Sequence, residues 1–199
     1  PQTLLNFIAL LGWNPGDDRE VLSLEEMVDE FRFERVSKSG AVFDREKLNW
    51  MNQQYLLKLP EEEYFRMIDD VIQKGDYHNQ DSGKIRQAAE ILKTRLVTLS
   101  DLNQKLGLFF EENPEIKDLQ AIEVLKEENS KTVLKEFLQQ AENLDQLTSE
   151  NLGQLVKSVQ KATGIKGRGL WMPLRCAITR EVSGPELPTM LDFFGGEKC

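Results

Sequence analysis

Residues 167–179 read Gly167-Arg168-Gly169-Leu170-Trp171-Met172-Pro173-Leu174-Arg175-Cys176-Ala177-Ile178-Thr179. A few residues further on comes Gly184-Pro185-Glu186-Leu187-Pro188-Thr189-Met190-Leu191. These stretches concentrate glycine, proline, a tryptophan and two arginines in a chain that otherwise spells plain amphipathic helices. Such punctuation sets backbone paths that helix propensity would not choose. The spacing predicts a glycine-flanked loop, a short helix over about 172–179, and a final helix that Pro185 starts and that runs towards Phe194.

Helical periodicity accounts for nearly everything upstream. Thr148 or Ser149 opens a helix to Ala162, with Leu152, Leu155, Val156 and Val159 inward and Gly164 as its stop. Helices at roughly 117–128 and 130–141 precede it. Asn113-Pro114 breaks the segment that Ser100 caps and that reaches Phe110. Asp81 or Ser82 starts a helix that turns Ile85, Ala88, Ala89, Leu92 and Leu96 inward, and the polar loop before it holds His78. Pro60 suits the first turn of an earlier helix, where Glu61, Glu62 and Glu63 complement the dipole. Tyr64, Met67, Ile68, Val71 and Ile72 form its stripe, and Gly75 ends it.

Asp44 caps a helix carrying Leu48, Met51 and Tyr55 on one face. Ser23-Leu24-Glu25-Glu26 is a capping box for a helix to about Phe31. Asn14-Pro15-Gly16-Asp17 is a turn, and Ser37-Lys38-Ser39-Gly40 is a loop. Residues 3–12 form a helix that is apolar nearly all round, so it is buried or docks on something else. Strand signals are nearly absent, and no internal repeat or low-complexity tract occurs. The expected fold class is all-α, an elongated helical array.

The length of 199 residues allows one elongated domain or two to three small ones. With 40% hydrophobic and 30% charged residues, the chain can bury a core and remain soluble. No apolar run approaches the ~20 residues a membrane helix needs. The opening Pro1-Gln2-Thr3-Leu4 has no basic region and no cleavage-like site, so no signal peptide is expected. It lacks an initiator methionine and begins directly on a helix, which suggests a piece of a longer protein. Two cysteines, Cys176 and Cys199, make neither a disulfide framework nor a metal-ligand cluster, and they fit a reducing compartment.

A net charge of −9 argues against a generic nucleic-acid binder, which would be basic. A local basic face can still coexist with an acidic body. Basic residues gather at Lys84, Arg86, Lys93, Arg95 and Lys105, and again at Lys157, Lys161, Lys166, Arg168, Arg175 and Arg180. Acid collects at 61–63, Glu111-Glu112 and Glu127-Glu128. On composition alone these are ordinary solvated helix faces.

Little in the chain suggests chemistry. His78 is the only histidine, sits in a polar loop, and reads as a surface residue; a zinc site lacks its second histidine. Gly167-Arg168-Gly169 is a lone G-x-G; Met172 stands where a dinucleotide fingerprint needs its third glycine, and no strand precedes it. Paired carboxylates lie at helix starts or on polar faces, where capping and solubility explain them. No catalytic residue and no metal ligand is assigned.

Three blocks carry a family resemblance. They are Leu4-Leu5-Asn6-Phe7-Ile8-Ala9-Leu10-Leu11-Gly12-Trp13; Arg35-Val36-Ser37-Lys38-Ser39-Gly40-Ala41-Val42-Phe43-Asp44 running into Lys47-Leu48-Asn49-Trp50-Met51-Asn52; and residues 172–179 with 184–187. In this order and spacing they resemble the C-terminal half of a bacterial-type glutamyl-tRNA synthetase, of the class I aminoacyl-tRNA synthetase family. The resemblance covers essentially the whole chain, although 110–150 matches only in helical character.

The resemblance implies a division of labour. Full-length members carry an N-terminal Rossmann domain that activates glutamate with ATP and esterifies it to tRNA. ATP and Mg²⁺ would belong to that part, so no cofactor is expected here, and this chain alone would not aminoacylate. Val36-Ser37-Lys38-Ser39 is similar to the ATP-binding K-M-S-K-S loop of class I enzymes. Arg35 precedes it, no Rossmann sheet surrounds it, and a single histidine cannot supply a His-x-Gly-His partner. The resemblance puts it in a separate motif downstream of the catalytic loop, without a catalytic role. Residues 1–58 would end a stem-contact region, and 59–115 and 116–199 would be two anticodon-binding helical subdomains.

The resemblance also implies site residues. Arg175 matches an arginine that contacts the first anticodon base. Arg95, in Ile91-Leu92-Lys93-Thr94-Arg95-Leu96, matches a position that reads the third. A guanidinium offers rigid forked donors to base edges and stacks on unstacked bases. In the family, arginine at the Arg95 position goes with enzymes that accept tRNA(Glu) and reject tRNA(Gln), whereas smaller or uncharged residues go with relaxed ones. Arg95 points to the discriminating type, while rejection of tRNA(Gln) depends on several contacts.

Arg175 can also cap or brace the proline-rich turn, and the two roles are compatible. Trp171 is a stacking platform or a core residue. Lys93 and Arg168 are phosphate contacts, adding salt-dependent affinity without specificity. The implied partner is tRNA(Glu), with tRNA(Gln) left open; the implied protein is a cytoplasmic monomer, with an organelle left open. The rival reading is a helical module that docks protein, favoured by the acidic charge and the apolar helix at 3–12.

Overall fold

The structure, a computed structural model, describes residues 1–37 and 40–194. Among these residues the chain forms eleven α-helices, two short 3-10 turns and no β-strand. An isolated antiparallel bridge pairs Trp13 with Val36. The all-α expectation holds. Of the loop expected at 37–40, Lys38 and Ser39 lie outside the described residues. The chain divides into two compact units, one of Pro1–Asp81 and Leu92–Gln104, the other of Ser82–Ile91 and the chain from Lys105 on.

In the first unit, α1 (Gln2–Gly12) packs on α2 (Leu24–Glu30) and on α3 (Arg45–Lys58). Side chains set the helix starts. The Ser23 hydroxyl accepts from the Glu26 N–H, and the Glu26 carboxylate accepts from the Ser23 N–H at 2.7 Å, closing the expected capping box. Asp44 accepts from the Lys47 N–H at 3.0 Å. Phe7, Trp13, Leu22, Met27 and Met51 are buried. The apolar girth of α1 is only partly used: Phe7 points inward, whereas Leu4, Leu5 and Ile8 stand about half exposed.

A polar knot sits inside this unit. Asn6 Oδ1 accepts from the Leu22 N–H at 2.9 Å and lies 2.8 Å from the Tyr55 hydroxyl, which also reaches the Leu22 carbonyl. Burial raises the Tyr55 pKa, the nearby Glu26 charge adding to it. Arg35 explains part of the second sequence block. Its guanidinium donates to the Pro15 carbonyl, over Gly16, whose φ of +94° no side chain readily adopts. A Cβ on Gly16 would also come within 2.8 Å of that guanidinium.

The helix α4 (Glu61–Ile72) buries Tyr64, Ile68 and Ile72. Next comes α5 (Ser82–Leu92), and Ile85, Ala88, Ala89, Leu92 and Leu96 are all buried, as the period of 3.6 requires. The helix stops at Leu92, however, and the chain tightens into a 3-10 turn at Lys93–Arg95. The next helix, α6, spans Asp101–Phe110.

The second unit holds α7 (Leu119–Lys126), α8 (Glu128–Ala141), α9 (Ser149–Thr163), α10 (Arg168–Thr179) and α11 (Leu187–Phe194). Helix α8 packs on α9 and α10, and α10 also packs on α7 and α11. The shared core includes Val133, Phe137, Leu155, Val159, Leu170 and Leu191. Thr148 opens α9 with a capping box to Asn151, and Gly164 ends it at φ +73°.

Two helix starts differ from expectation in this unit: the final helix, expected to start at Pro185, begins two residues later at Leu187, and the helix before it begins early. The helix predicted from 172 starts at Arg168, so Gly169, Leu170 and Trp171 are helical. Gly167, at φ +62°, turns the chain sharply, and its carbonyl already accepts from the N–H groups of Leu170 and Trp171 at 3.1 Å each. Pro173 therefore falls inside the helix. Its missing N–H forgoes one ladder bond, to the Gly169 carbonyl.

Candidate nucleic-acid interface

Helix α10 gathers three of the five basic or aromatic candidates. Arg168, Trp171 and Arg175 stand at i, i+3 and i+7, which places them along one face. Arg168 is exposed in the first turn, and Trp171 is 44% exposed. Of the two alternatives for Trp171, the core role is not realised: Leu170 and Leu174 take the buried positions beside it.

Arg175 is half-buried and braces the turn after the helix. Its Nη1 donates to the Gly184 carbonyl at 2.8 Å, with the Pro185 carbonyl 3.4 Å away. The path between them is tightly specified. Helix α10 ends on Arg180, a non-glycine residue at φ +61°, whose N–H bonds the Cys176 carbonyl. The Thr179 hydroxyl lies 2.9 Å from the carbonyls of Arg175 and Glu181. A Cβ on Gly184 would collide with the Thr179 side chain, so only glycine fits.

Asp118, the N-cap of α7, pins this loop. Its carboxylate accepts from the N–H groups of Val182 and Gln120 at 2.9 Å each and of Ala121 at 3.3 Å. Those bonds, that of Val182 first, hold the Asp118 pKa below the usual carboxylate range. Lys105 Nζ approaches Glu181 at 3.7 Å. Cys176 is buried within α10, and burial raises its thiol pKa, with the Asp118 charge adding to the effect.

In the first unit, the other two candidates share the 3-10 turn at Lys93–Arg95. Lys93 Nζ sits 4.6 Å from the centroid of the Tyr64 ring, a cation–π placement over a fully buried aromatic. Arg95 is half-buried at the turn's end. Helix α3 holds the turn with two consecutive amides. Gln53 Nε2 donates to the Thr94 carbonyl at 2.7 Å, and Asn52 Nδ2 donates to the Val97 carbonyl. Thr3 of α1 donates in turn to Asn52 Oδ1 at 3.0 Å. Sequence reasoning gave none of these three polar residues a role, although Asn52 closes one of the quoted blocks.

His78 is exposed, with Nδ1 3.0 Å from the Gly75 carbonyl. Among the described residues no group of His, Cys, Asp or Glu is arranged to hold a metal ion, and no helix is long and apolar enough to cross a membrane.

A family described as "Anticodon binding domain" matches residues 50–199, and one described as "tRNA synthetases class I (E and Q), catalytic domain" matches residues 1–50. The chain belongs to the family of anticodon-binding domains of class I aminoacyl-tRNA synthetases. Among curated relatives, it is similar to the glutamate–tRNA ligase of Halalkalibacterium halodurans, 37% identical over 209 residues, covering 99% of this chain and 41% of that protein. The glutamate–tRNA ligase of Latilactobacillus sakei subsp. sakei is 36% identical over 203 residues, covering 100% and 41%. The chain thus spans 41% of the length of these curated relatives.

Solved structures agree in fold. A glutamate tRNA ligase from Elizabethkingia meningosepticum, crystallised in complex with its amino acid, superposes with a TM-score of 0.71 at 29% identity, over 100% of this chain and 39% of that one. The glutamate–tRNA synthetase of Elizabethkingia anophelis gives 0.68 at 28% identity, over 99% and 38%.

Proposed function

We propose that this chain is the tRNA-recognising part of a glutamate–tRNA ligase. The observation that carries the reading is the face of α10, where half-exposed Trp171 stands between Arg168 and Arg175. Single-stranded RNA is read by stacking splayed bases on aromatic or guanidinium planes and by bonding their edges. Trp171 supplies the plane, Arg168 takes a phosphate, and Arg175 reads the first anticodon base. The brace to Gly184 uses Arg175 Nη1, and the guanidinium carries further donors for a base edge. The Lys93–Arg95 turn forms the second contact, with Arg95 on the third anticodon base and Lys93 on a phosphate.

In this reading binding free energy gained here orients the acceptor end of tRNA in the rest of the ligase, where ATP, Mg²⁺ and glutamate are handled. The half-exposed Leu4, Leu5 and Ile8 of α1 then face that remainder. The cognate partner is tRNA(Glu), the Arg95 type being the one that rejects tRNA(Gln). The ligase acts as a cytoplasmic monomer, and this part binds no cofactor.

The test is a titration with tRNA(Glu), tRNA(Gln) and an unrelated tRNA at two salt concentrations, with Arg175→Ala and Arg95→Ala alongside. The expected result is a preference for tRNA(Glu) that both substitutions abolish. Equal binding of all three tRNAs, or no binding by the folded protein, would overturn the reading and return the chain to the protein-docking class.

A further inference from the structure

We propose that Asn52 and Gln53 are positioning residues for the Lys93–Arg95 turn, and that the Thr3 hydroxyl braces Asn52 in the orientation that holds it. The inference rests on the reading that this turn touches tRNA, and it assigns the device that keeps the turn in register.

The turn is weakly held by itself. Its internal bond, from the Leu96 N–H to the Lys93 carbonyl, is 3.4 Å long, and 3-10 geometry is poor even when short. Stability must come from outside. Gln53 and Asn52 grip the carbonyls of Thr94 and Val97, one on each side of Arg95. Buried Leu96 fixes the turn from below, and Lys93 is seated on the Tyr64 ring. The backbone that carries Arg95 is thereby fixed at both ends by two neighbouring side chains of one helix.

An Asn amide has two nearly equivalent orientations, because its terminal torsion is broad and two-fold. The Val97 carbonyl selects one of them, because it can only accept and so demands Nδ2. The Thr3 hydroxyl then donates to Oδ1 and braces the amide in that orientation. The opposite orientation would set two oxygens against each other. Thr3 is 7% exposed and lies in the segment matching the catalytic-domain family, whereas Asn52 and Val97 lie in the anticodon-binding segment. Asn52 is therefore a hydrogen-bonded joint between the two.

The experiment uses the full-length protein carrying these residues, with Gln53→Met, Asn52→Asp, Thr3→Val and Thr3→Ser, each with and without Arg95→Ala. The affinity for tRNA(Glu) is measured, and circular dichroism checks the fold. Gln53→Met and Asn52→Asp should each weaken binding about tenfold, the equivalent of one lost hydrogen bond. Thr3→Val should weaken it severalfold and Thr3→Ser should restore it. Once Arg95 is alanine, each change should weaken binding by clearly less than it does with Arg95 present, the remainder coming through Lys93 of the same turn.

Wild-type affinity in Gln53→Met and Asn52→Asp, while Arg95→Ala weakens binding, would overturn the proposal and leave the functional reading standing. Equal losses with and without Arg95 would also overturn it, because a merely structural role adds independently. An Arg95→Ala variant that binds like wild type would overturn the reading and the proposal together. Should Asn52→Asp fail to fold, Gln53→Met decides alone.

Discussion

Arg175 Nη1 donates to the Gly184 carbonyl at 2.8 Å, so the side chain proposed to read the first anticodon base also closes the loop that follows its own helix. A charged donor to a partly buried carbonyl contributes about 1–2 kcal/mol. Arg175→Ala should lower the unfolding free energy by that amount in urea titrations. Arg175→Lys keeps the charge but loses the planar fork. It should recover part of the stability and little of the tRNA preference, which separates the two roles.

Gly184→Ala should destabilise by about 1–3 kcal/mol, as overpacking does. The added Cβ meets the Thr179 side chain, and the displaced carbonyl would leave Arg175. Chemical denaturation reads the loss. An unchanged midpoint would mean that the 180–185 loop yields freely.

Trp171→Ala should cost under about 1 kcal/mol of stability, since the ring is only partly buried. It should weaken RNA binding by about 1–3 kcal/mol, the contribution of one stacked base, and Trp171→Phe should recover much of this. The ratio of binding loss to stability loss is the measurement.

Lys93→Ala and Arg168→Ala should each reduce the slope of log affinity against log salt by about 0.7–1, the signature of one phosphate contact. Preference among tRNAs should stay as it was, because phosphates carry no sequence.

Asp118 makes stability depend on acid. Its folded pKa lies below the ordinary value of about 3.9, so its contribution is full above that value and is lost as pH falls through the lower, folded one. Unfolding free energy should therefore drop as pH falls below about 4. Asp17, which accepts from Arg19, and Glu26, which accepts from the Ser23 N–H, shift the same way. Asp118→Asn should flatten part of the acid limb, measured by denaturation at stepped pH.

Most helices were legible because period, caps and stops agreed. Ser23 with Glu26, Asp44, Thr148 and Gly164 each sit where their chemistry belongs. The start of α10 was not legible. Gly167 and Gly169 read as a loop, yet the positive φ of Gly167 lets winding begin beside it. The 3-10 turn at Lys93–Arg95 was hidden too, because Leu92 and Leu96 keep the helical spacing across it. The candidate arginines came from short sequence blocks. The supports of Arg95 came only from the fold: Thr3, Asn52 and Gln53 lie far along the chain from Thr94 and Val97 and meet them only after α1 and α3 have packed.

The interleaving of the two compact units has a practical corollary. The chain passes from the first unit to the second after Asp81, returns at Leu92, and leaves again after Gln104. No single scission yields either unit intact. A gene cut after Asp81 would strip the amino-terminal piece of the turn that Asn52 and Gln53 grip, and would leave that turn's residues dangling from the other product. Dissecting this protein therefore calls for internal excision with a designed linker, or for complementation between overlapping pieces, rather than for serial truncation.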